Sequence, residues 1–314
     1  MKKQSGKFAF APAEFIPFRD QKAIARVRRI KRANIAKHRN PDFRITVIPD
    51  ADLEFLWITD MFFRIKTAMD AGQPYVMIMP NPWPGYAKLA QMLNRARVDC
   101  RRLHTFNMDE YADQDGHIAP ESWEFGFGYS FKKYFWSQLN PKLRPPRKQV
   151  HCLNDRNLKV YGKMLADLGG ADICYSGPGW TGHLAFIEPD APEFAGPLEE
   201  WKKMGPRICT LSPFTIAQNS LHGSFGMSGD LSAVPPKAAT IGPAEVIAAK
   251  HRIDTHAITV DGSFASWQRL TTRLVLHGPV TPLVPESILQ TLRTDVWVSE
   301  SAAADIVPRW KKGY

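Results

Sequence analysis

Two adjacent acids stand where a chain could carry out proton transfer. Asp109 and Glu110 directly follow a hydrophobic run that is typical of a β-strand. A carboxylate at the end of a buried strand can be partly desolvated, which raises its pKa towards that of a general base. The structural alternative is that these acids cap a helix or turn. The pair alone leaves both roles open.

A second segment places a histidine among glycines. His183 follows Gly177, Gly179 and Gly182, and Glu188 stands five residues further on. Glycines let backbone N–H groups approach an anionic oxygen or a sugar hydroxyl. His183 could exchange protons near neutral pH, and Glu188 could orient its imidazole ring. The structural alternative is a loop histidine whose hydrogen bonds are satisfied.

Taken together, the two segments resemble the signatures of glucosamine-6-phosphate deaminases. Thr105-Phe-Asn-Met-Asp-Glu-Tyr111, with Pro120-Glu-Ser-Trp123 after it, is similar to the family's Asn-Met-Asp-Glu-Tyr and Pro-Glu-Ser-Tyr. Gly177-Pro-Gly-Trp-Thr-Gly-His-Leu-Ala-Phe-Ile-Glu-Pro189 is similar to its Gly-x-Gly-x-Asp-Gly-His-Ile-Ala-Phe-Asn-Glu-Pro. Weaker similarity continues downstream, so that the resemblance covers about residues 46–300.

The resemblance implies an enzyme that opens a pyranose ring, moves a proton between C2 and C1, and releases ammonia to give fructose 6-phosphate. It implies no metal and no redox cofactor. Asp109 would take the C2 proton, and His183 would assist ring opening with Glu188 as its partner. The expected substrate-binding residues are Asn81, Trp83, Asn107, Glu110, Gly177, Gly179, Trp180, Thr181 and Gly182.

The sequence departs from the family pattern in both loops. Thr181 stands where the family has an acid two residues before the histidine, so the imidazole depends on Glu188 alone. Pro80-Asn-Pro-Trp-Pro84 replaces a Gly/Thr-rich loop, and its three prolines remove backbone N–H donors. Trp83 and Trp180 enter these loops, where they either stack on a sugar ring or fill the core.

Two cationic positions of the family are also lost. Its lid-side arginine falls at Ile216, and the lysine that follows its Gly-Ser pair falls at or beside Ala265. Losing two charge-assisted hydrogen bonds costs roughly 3–6 kcal/mol. The expected substrate is therefore an amino sugar or a related sugar that need not be 6-phosphorylated, unless another cation contributes. The candidates for such a cation are Lys237, Lys250 and Arg252.

The elements that position these residues read as an α/β fold. Strand-like runs alternate with helical periodicity, which predicts a mainly parallel central sheet with helices on both faces, a doubly wound three-layer αβα sandwich. Asp50–Ala71 reads as a helix closed by Gly72, and Tyr75–Met79 as a buried strand. His256–Val260 reads as a later strand. The predicted division is a basic N-terminal arm at 1–45 and an α/β domain at 46–314, with a lid at about 190–232.

The arm accounts for much of the net charge of +10. Between Lys22 and Arg44 nine basic residues face a single acid, Asp42. Ile24, Val27 and others recur among them at helical spacing, which favours an amphipathic helix packed on the body or on a second subunit. No aromatic residues interleave the charges, so nucleic acid is an unlikely partner. We expect a homo-oligomer.

The composition of the chain indicates its localisation and the state of its cysteines. The chain lacks a membrane-spanning run and a secretory leader, so we expect a cytoplasmic protein. Its cysteines, Cys100, Cys152, Cys174 and Cys209, show no metal-binding spacing and read as buried free thiols. A sugar isomerase or deaminase is the leading hypothesis. A lactonase-type hydrolase and a non-catalytic sugar-binding homologue are the alternatives, and each has a small sugar or sugar phosphate as its ligand.

Overall fold

A parallel sheet forms the centre of the molecule. The computed structural model describes residues 10–80, 83–257 and 268–308. Within them, seven strands form a parallel sheet in the order β1-β10-β9-β6-β2-β3-β5, and three form an antiparallel sheet in the order β4-β8-β7. The strands are β1 (Phe43–Ile48), β2 (Tyr75–Met79), β3 (Leu103–Asn107), β4 (Asp109–Ala112), β5 (Val150–His151), β6 (Ile173–Ser176), β7 (Arg207–Thr210), β8 (Lys237–Thr240), β9 (Arg252–His256) and β10 (Thr294–Ser299).

Helices cover both faces of the parallel sheet. Successive side chains of β2 point to opposite faces of the sheet. Met77 and Met79 belong to the apolar cluster on one face, and Val76 and Ile78 belong to the cluster on the other face. The predicted αβα sandwich is therefore confirmed. The helices are α1 (Gln21–Arg28), α2 (Leu53–Asp70), α3 (Tyr86–Arg95), α4 (Phe127–Tyr134), α5 (Tyr161–Asp167), α6 (Leu198–Trp201), α7 (Pro213–Asn219), α8 (Pro243–Ala248), α9 (Gln268–His277) and α10 (Glu300–Ala303).

The junction between α2 and β2 follows the predicted signals. Gly72 adopts φ +64°, a left-handed conformation that costs little without a Cβ atom. Its N–H donates to Met69 O, and the N–H of Gln73 donates to Ala68 O, so these bonds satisfy the last carbonyls of the helix. The helix stops there, and the chain turns directly into the buried strand.

Two elements differ from the sequence prediction. β9 spans Arg252–His256, so it ends at the residue where the predicted strand begins. The prediction missed this strand because its residues are mostly polar. Residues 258–260 of the predicted strand lie outside the described residues. The antiparallel sheet was not predicted at all. Its first strand, β4, is the acidic segment that reads as a polar turn, yet every residue of it is buried.

The N-terminal segment packs on the body. α1 contacts α9 through the buried side chains of Ala23 and Val27, and Arg26 donates to the carbonyl of His277. The division at residue 45 remains a prediction, although β1 already begins at Phe43. Beside the helix lies an open cleft of about 350 Å³ with basic walls, lined by Arg26, Arg29, Ile30, Lys31, Asn34, Lys37 and His277.

The segment at 190–232 is built into the fold. It contains α6, β7 and α7, and its residues Trp201, Cys209 and Thr215 are buried. Its predicted role as a lid stays a prediction. All four cysteines are free and buried, as expected. In the parts of the chain that are described, no helix has the length and apolarity needed to cross a membrane.

Candidate active site

Asp109 lies where the chain leaves the parallel sheet. β3 ends at Asn107, Met108 donates to the carbonyl of Met79 at the end of β2, and β4 then pairs with β8. The carboxyl ends of parallel strands are where such folds bind ligands. The hydrogen bond of Met108 before Asp109 and the pairing of β4 with β8 therefore hold Asp109 at the expected edge of the parallel sheet.

The carboxyl group of Asp109 is buried without a cation. The residue is 6% exposed, and none of the described residues donates a hydrogen bond to its side chain. Burial, together with the charge of Glu110, raises its pKa well above the usual value of 3.8. A carboxylate with a raised pKa has the basicity that proton abstraction from carbon requires.

Glu110 points the other way and caps a helix. Its Oε1 accepts hydrogen bonds from the N–H groups of Tyr111 and Phe127, and its Oε2 accepts one from Gly128 at 2.7 Å. Two of these donors belong to the first turn of α4, where a carboxylate also complements the helix dipole. Burial raises the pKa of Glu110 to about 7 even though the N–H donors lower it. The geometry favours the capping alternative for Glu110, and the substrate-binding role stays a prediction.

His183 and Glu188 form the expected pair. The imidazole Nδ1 lies 3.3 Å from Glu188 Oε1 and 3.1 Å from Thr215 Oγ1. Thr181 donates to the other carboxylate oxygen of Glu188 at 3.0 Å. Since a carboxylate can only accept, Nδ1 carries a proton and Nε2 is left to act as the acid or base atom. Thr181 thus acts on Glu188 rather than on the imidazole.

The glycines of the second segment are required by close contacts. A Cβ atom on Gly179 would lie 2.1 Å from His183 Nε2, and one on Gly177 would lie 2.6 Å from the carbonyl of Thr255 in β9. Gly182 adopts φ +76°. Nε2 of the imidazole therefore faces the loop backbone directly, which the predicted binding role of these glycines requires.

The segment that carries Asp109 and the segment that carries His183 meet through β8. Thr240 is the register partner of Asp109, and its hydroxyl accepts a hydrogen bond from the N–H of Phe186, three residues after His183. The rings of Tyr111 and Phe186 also lie 5.8 Å apart in a shared apolar cluster. Asp109 and the His183–Glu188 pair are therefore fixed to one another by a strand that the sequence pattern did not predict.

The remaining predicted binding residues have different environments. Asn107 is buried, and neither side-chain amide atom has a hydrogen-bond partner among the described residues, so this amide is available to a ligand. The ring of Trp83 stacks on Trp57 at 4.4 Å and lies 4.5 Å from Tyr86, which favours the core-filling alternative. Trp180 is half-buried. Asn81 and Ala265 lie outside the described residues.

Two of the three candidate replacement cations lie at the other end of the parallel sheet. Lys250 pairs with Asp172, just before β6 begins, and Arg252 at the start of β9 donates to the backbone carbonyls of Val246 and Ala249. Both are at the amino ends of parallel strands, opposite the candidate site. Lys237 is the register partner of Ala112, three positions along the ladder from Asp109. Ile216 packs against the apolar cluster around Tyr111.

Some residues of the site were missed by sequence reasoning. Thr215 and Gln218 on α7 contact His183 Nδ1 and the N–H of Trp180, but Thr and Gln at helical spacing give no signal of this role. In residues 10–80, 83–257 and 268–308 no group of three or more His, Cys, Asp or Glu side chains could hold a metal ion.

Sequence comparison agrees with the resemblance in the two motifs. No family model matches the chain. Over 232 residues it is 27% identical to glucosamine-6-phosphate deaminase 2 of Giardia intestinalis, covering 72% of this chain and 77% of that protein. It is 27% identical to the glucosamine-6-phosphate deaminase of Phocaeicola vulgatus over 243 residues, covering 74% and 81%.

Solved structures share the fold. A monomeric glucosamine-6-phosphate deaminase superposes with a TM-score of 0.66 at 18% identity, over 82% of this chain and 98% of that one. The 6-phosphogluconolactonase from Trypanosoma cruzi gives 0.58 at 15% identity, over 85% and 97%. The chain is therefore similar in sequence to glucosamine-6-phosphate deaminases, and it has the fold that these enzymes share with 6-phosphogluconolactonases.

Proposed function

We propose that this protein is an aldose–ketose isomerase or deaminase that acts on an amino sugar or a related sugar. Asp109 takes the proton from C2 and a proton is delivered to C1. Where C2 carries an amine, this leaves an iminium at C2, to which water adds before the C–N bond breaks and ammonia leaves, so that a ketose remains. His183 assists ring opening through Nε2, while Glu188 holds Nδ1. The observation that carries the proposal is a buried carboxyl group without a cation, fixed through Thr240 to a hydrogen-bonded His–Glu pair.

The substrate we propose need not carry a 6-phosphate. Lys250 and Arg252 are engaged at the opposite end of the sheet, and Ile216 is part of an apolar cluster. A phosphate group held without such cations would lose charge-assisted bonds worth about 1.5–3 kcal/mol each. We therefore expect free or N-substituted sugars to compete well with their 6-phosphates.

The experiment is an assay of ammonia release and ketose formation over matched pairs of free and 6-phosphorylated amino sugars. We expect turnover of at least one pair, with little preference for the phosphate. Asp109→Asn should lower it by roughly 10²–10⁴-fold, whereas Asp115→Asn, which changes an exposed acid nearby, should leave it unchanged. A folded protein that turns over no member of the panel contradicts the proposal, and saturable binding without turnover would indicate the non-catalytic homologue.

A lactonase-type hydrolase is the second candidate, favoured by the fold shared with 6-phosphogluconolactonases. Hydrolysis of a lactone adds water to a carbonyl group and needs no base at C2. Lactone hydrolysis that survives Asp109→Asn would therefore favour the hydrolase. We also propose a homo-oligomer, and light scattering that gives the mass of one 35.5 kDa chain would contradict it.

A further inference from the structure

A second group of ionisable side chains lies directly beneath the glycine-rich loop. Asp254, His256 and Glu286 are each 0% exposed, and Ser176 is almost as deeply buried. None of them belongs to the proton-transfer machinery described above. Because burying ionisable groups is costly unless they are paired, such a group at this place calls for a role.

Asp254 is the centre of this cluster. Its Oδ2 lies 2.8 Å from His256 Nε2, and its Oδ1 accepts a hydrogen bond from Ser176 at 3.1 Å. Burial opposes ionisation of Asp254, but His256, Glu286 and Ser176 together hold its pKa below the usual value. His256 Nδ1 in turn lies 3.1 Å from the hydroxyl of Thr272 on α9.

Glu286 supplies the missing proton. Its carboxyl group lies beside Asp254 and Ser176, and no described residue donates a hydrogen bond to either of its oxygens. Burial and the charge of Asp254 raise the pKa of Glu286 well above its usual value. Because His256 contacts only Asp254 of the two acids, the second carboxyl group of the buried pair keeps its proton.

Among the described residues, His256 of the same strand is the basic side chain that contacts Asp254, and no side chain of a neighbouring element forms an ion pair with Asp254 or Glu286. Cys174 of β6 also lies within electrostatic range of Glu286. Arg269 and Arg273 of α9 direct their guanidinium groups at the carbonyls of Ser301 and Ala303. Arg44 of β1 pairs with an acid of β10. The proton on Glu286 is therefore what makes the contact with Asp254 favourable.

The pair borders the loop that carries His183. The backbone N–H of Glu286 donates to the carbonyl of Gly182, and Ser176 is followed immediately by Gly177. Thr255, between Asp254 and His256, presents the carbonyl against which Gly177 lies. The two ends of the glycine-rich loop thus rest on the two halves of the acid pair.

We propose that Asp254 and Glu286 share one proton and thereby hold the glycine-rich loop, so that Glu286 is a positioning residue for His183. This inference rests on the proposed function only for its effect on turnover; its effect on the loop is independent of any substrate. Removing the shared proton at high pH leaves two carboxylates in contact, so the loop should loosen as pH rises.

The test compares Glu286→Gln, which keeps a hydrogen-bond donor towards Asp254 but cannot ionise, with Glu286→Ala. Protection of the amides at 177–183, taken relative to the intrinsic exchange rate at each pH, should fall as pH rises in the wild type and stay high in Glu286→Gln. It should be at least 10-fold lower than in the wild type at neutral pH, and low at all pH values, in Glu286→Ala. Glu245→Gln, a carboxyl group with a burial-raised pKa that caps α8, is the matched control and should leave the loop unchanged.

Turnover gives the second readout. Glu286→Gln should keep kcat and move the alkaline limb of its pH profile upwards, whereas Glu286→Ala should lower kcat at least 10-fold with little change in KM. Equal deuterium uptake at 177–183 in folded Glu286→Ala and wild type would overturn the inference. If no sugar is turned over, the proposed function fails while the uptake experiment still decides this one.

Discussion

Asp109 links the chemistry of the site to the stability of the fold. Its folded-state pKa lies well above the usual 3.8 because the carboxyl group is buried. The folded protein therefore binds this proton more tightly than the unfolded chain. Stability from this group is present at low pH and is lost as pH rises from about 4 through the raised pKa.

Asp109→Asn should consequently have opposite effects on activity and stability. We expect turnover to fall by roughly 10²–10⁴-fold, the usual contribution of a general base. The free energy of unfolding should rise at neutral pH and equal that of the wild type near pH 4. Urea denaturation at several pH values measures this. An Asn variant less stable than the wild type at pH 8 would contradict the raised pKa.

Thr181 is one of the residues at which this chain departs from the family pattern described above. Its hydroxyl donates to Glu188, a buried carboxylate that also holds His183. Thr181→Val keeps the shape but removes the donor, at a cost of about 1.5–3 kcal/mol for a hydrogen bond to a charged group. We expect a lower denaturation midpoint and about 10-fold lower kcat, with Thr181→Ser close to wild type in both.

At the scale of elements, the glycine-rich loop has no room for a side chain at Gly179. A methyl group at Gly179 would meet both His183 Nε2 at 2.1 Å and Gln218 Oε1 at 2.8 Å. Gly179→Ala should cost about 1–3 kcal/mol and, by displacing the imidazole, about 100-fold in kcat. Gly223→Ala is the matched control, because no atom lies within 4 Å of its added Cβ. Equal kcat for the two variants would show that Nε2 takes no part.

The elements that could be predicted are those in which apolar residues are buried and a glycine marks the end of a helix. Tyr75–Met79 is apolar and buried, and Gly72 marks the end of α2, so both were found from the sequence. β4 and β9 were not, because Asp109, Glu110, Asp254 and His256 are polar. The strands that pair with β4 and β9 lie far away in the chain. A polar run normally indicates a surface turn, and only tertiary pairing makes these strands internal.

For the candidate site, too, the sequence predicts the residues within motifs but not the contacts that depend on the fold. The roles of Asp109, His183 and Glu188 came from motif resemblance, and the geometry now gives each a physical reason. The contacts of Thr215 and Gln218, and the cluster around Asp254, depend on the arrangement of α7, β6 and β9. No local pattern encodes that arrangement.

At the scale of the molecule, the N-terminal segment is held by a few contacts that can be tested. The side chain of Val27 on α1 is fully buried, whereas that of Ala25 on the same helix is exposed. Val27→Asp should cost about 2–3 kcal/mol, since it forfeits apolar burial and places a charge at the contact. Ala25→Asp should change the denaturation midpoint little. Similar midpoints for both variants would mean that α1 does not dock on α9.

The same docking has a consequence for how the chain is made. Arg26 reaches a carbonyl 251 residues away, and β1 pairs with β10 near the other end of the sequence. A chain emerging from the ribosome exposes this basic segment long before the partners of that segment. Until Thr294–Ser299 are synthesised, β1 has no neighbour and β9 is an open edge. Nascent or prematurely terminated chains are thus the form most exposed to aggregation.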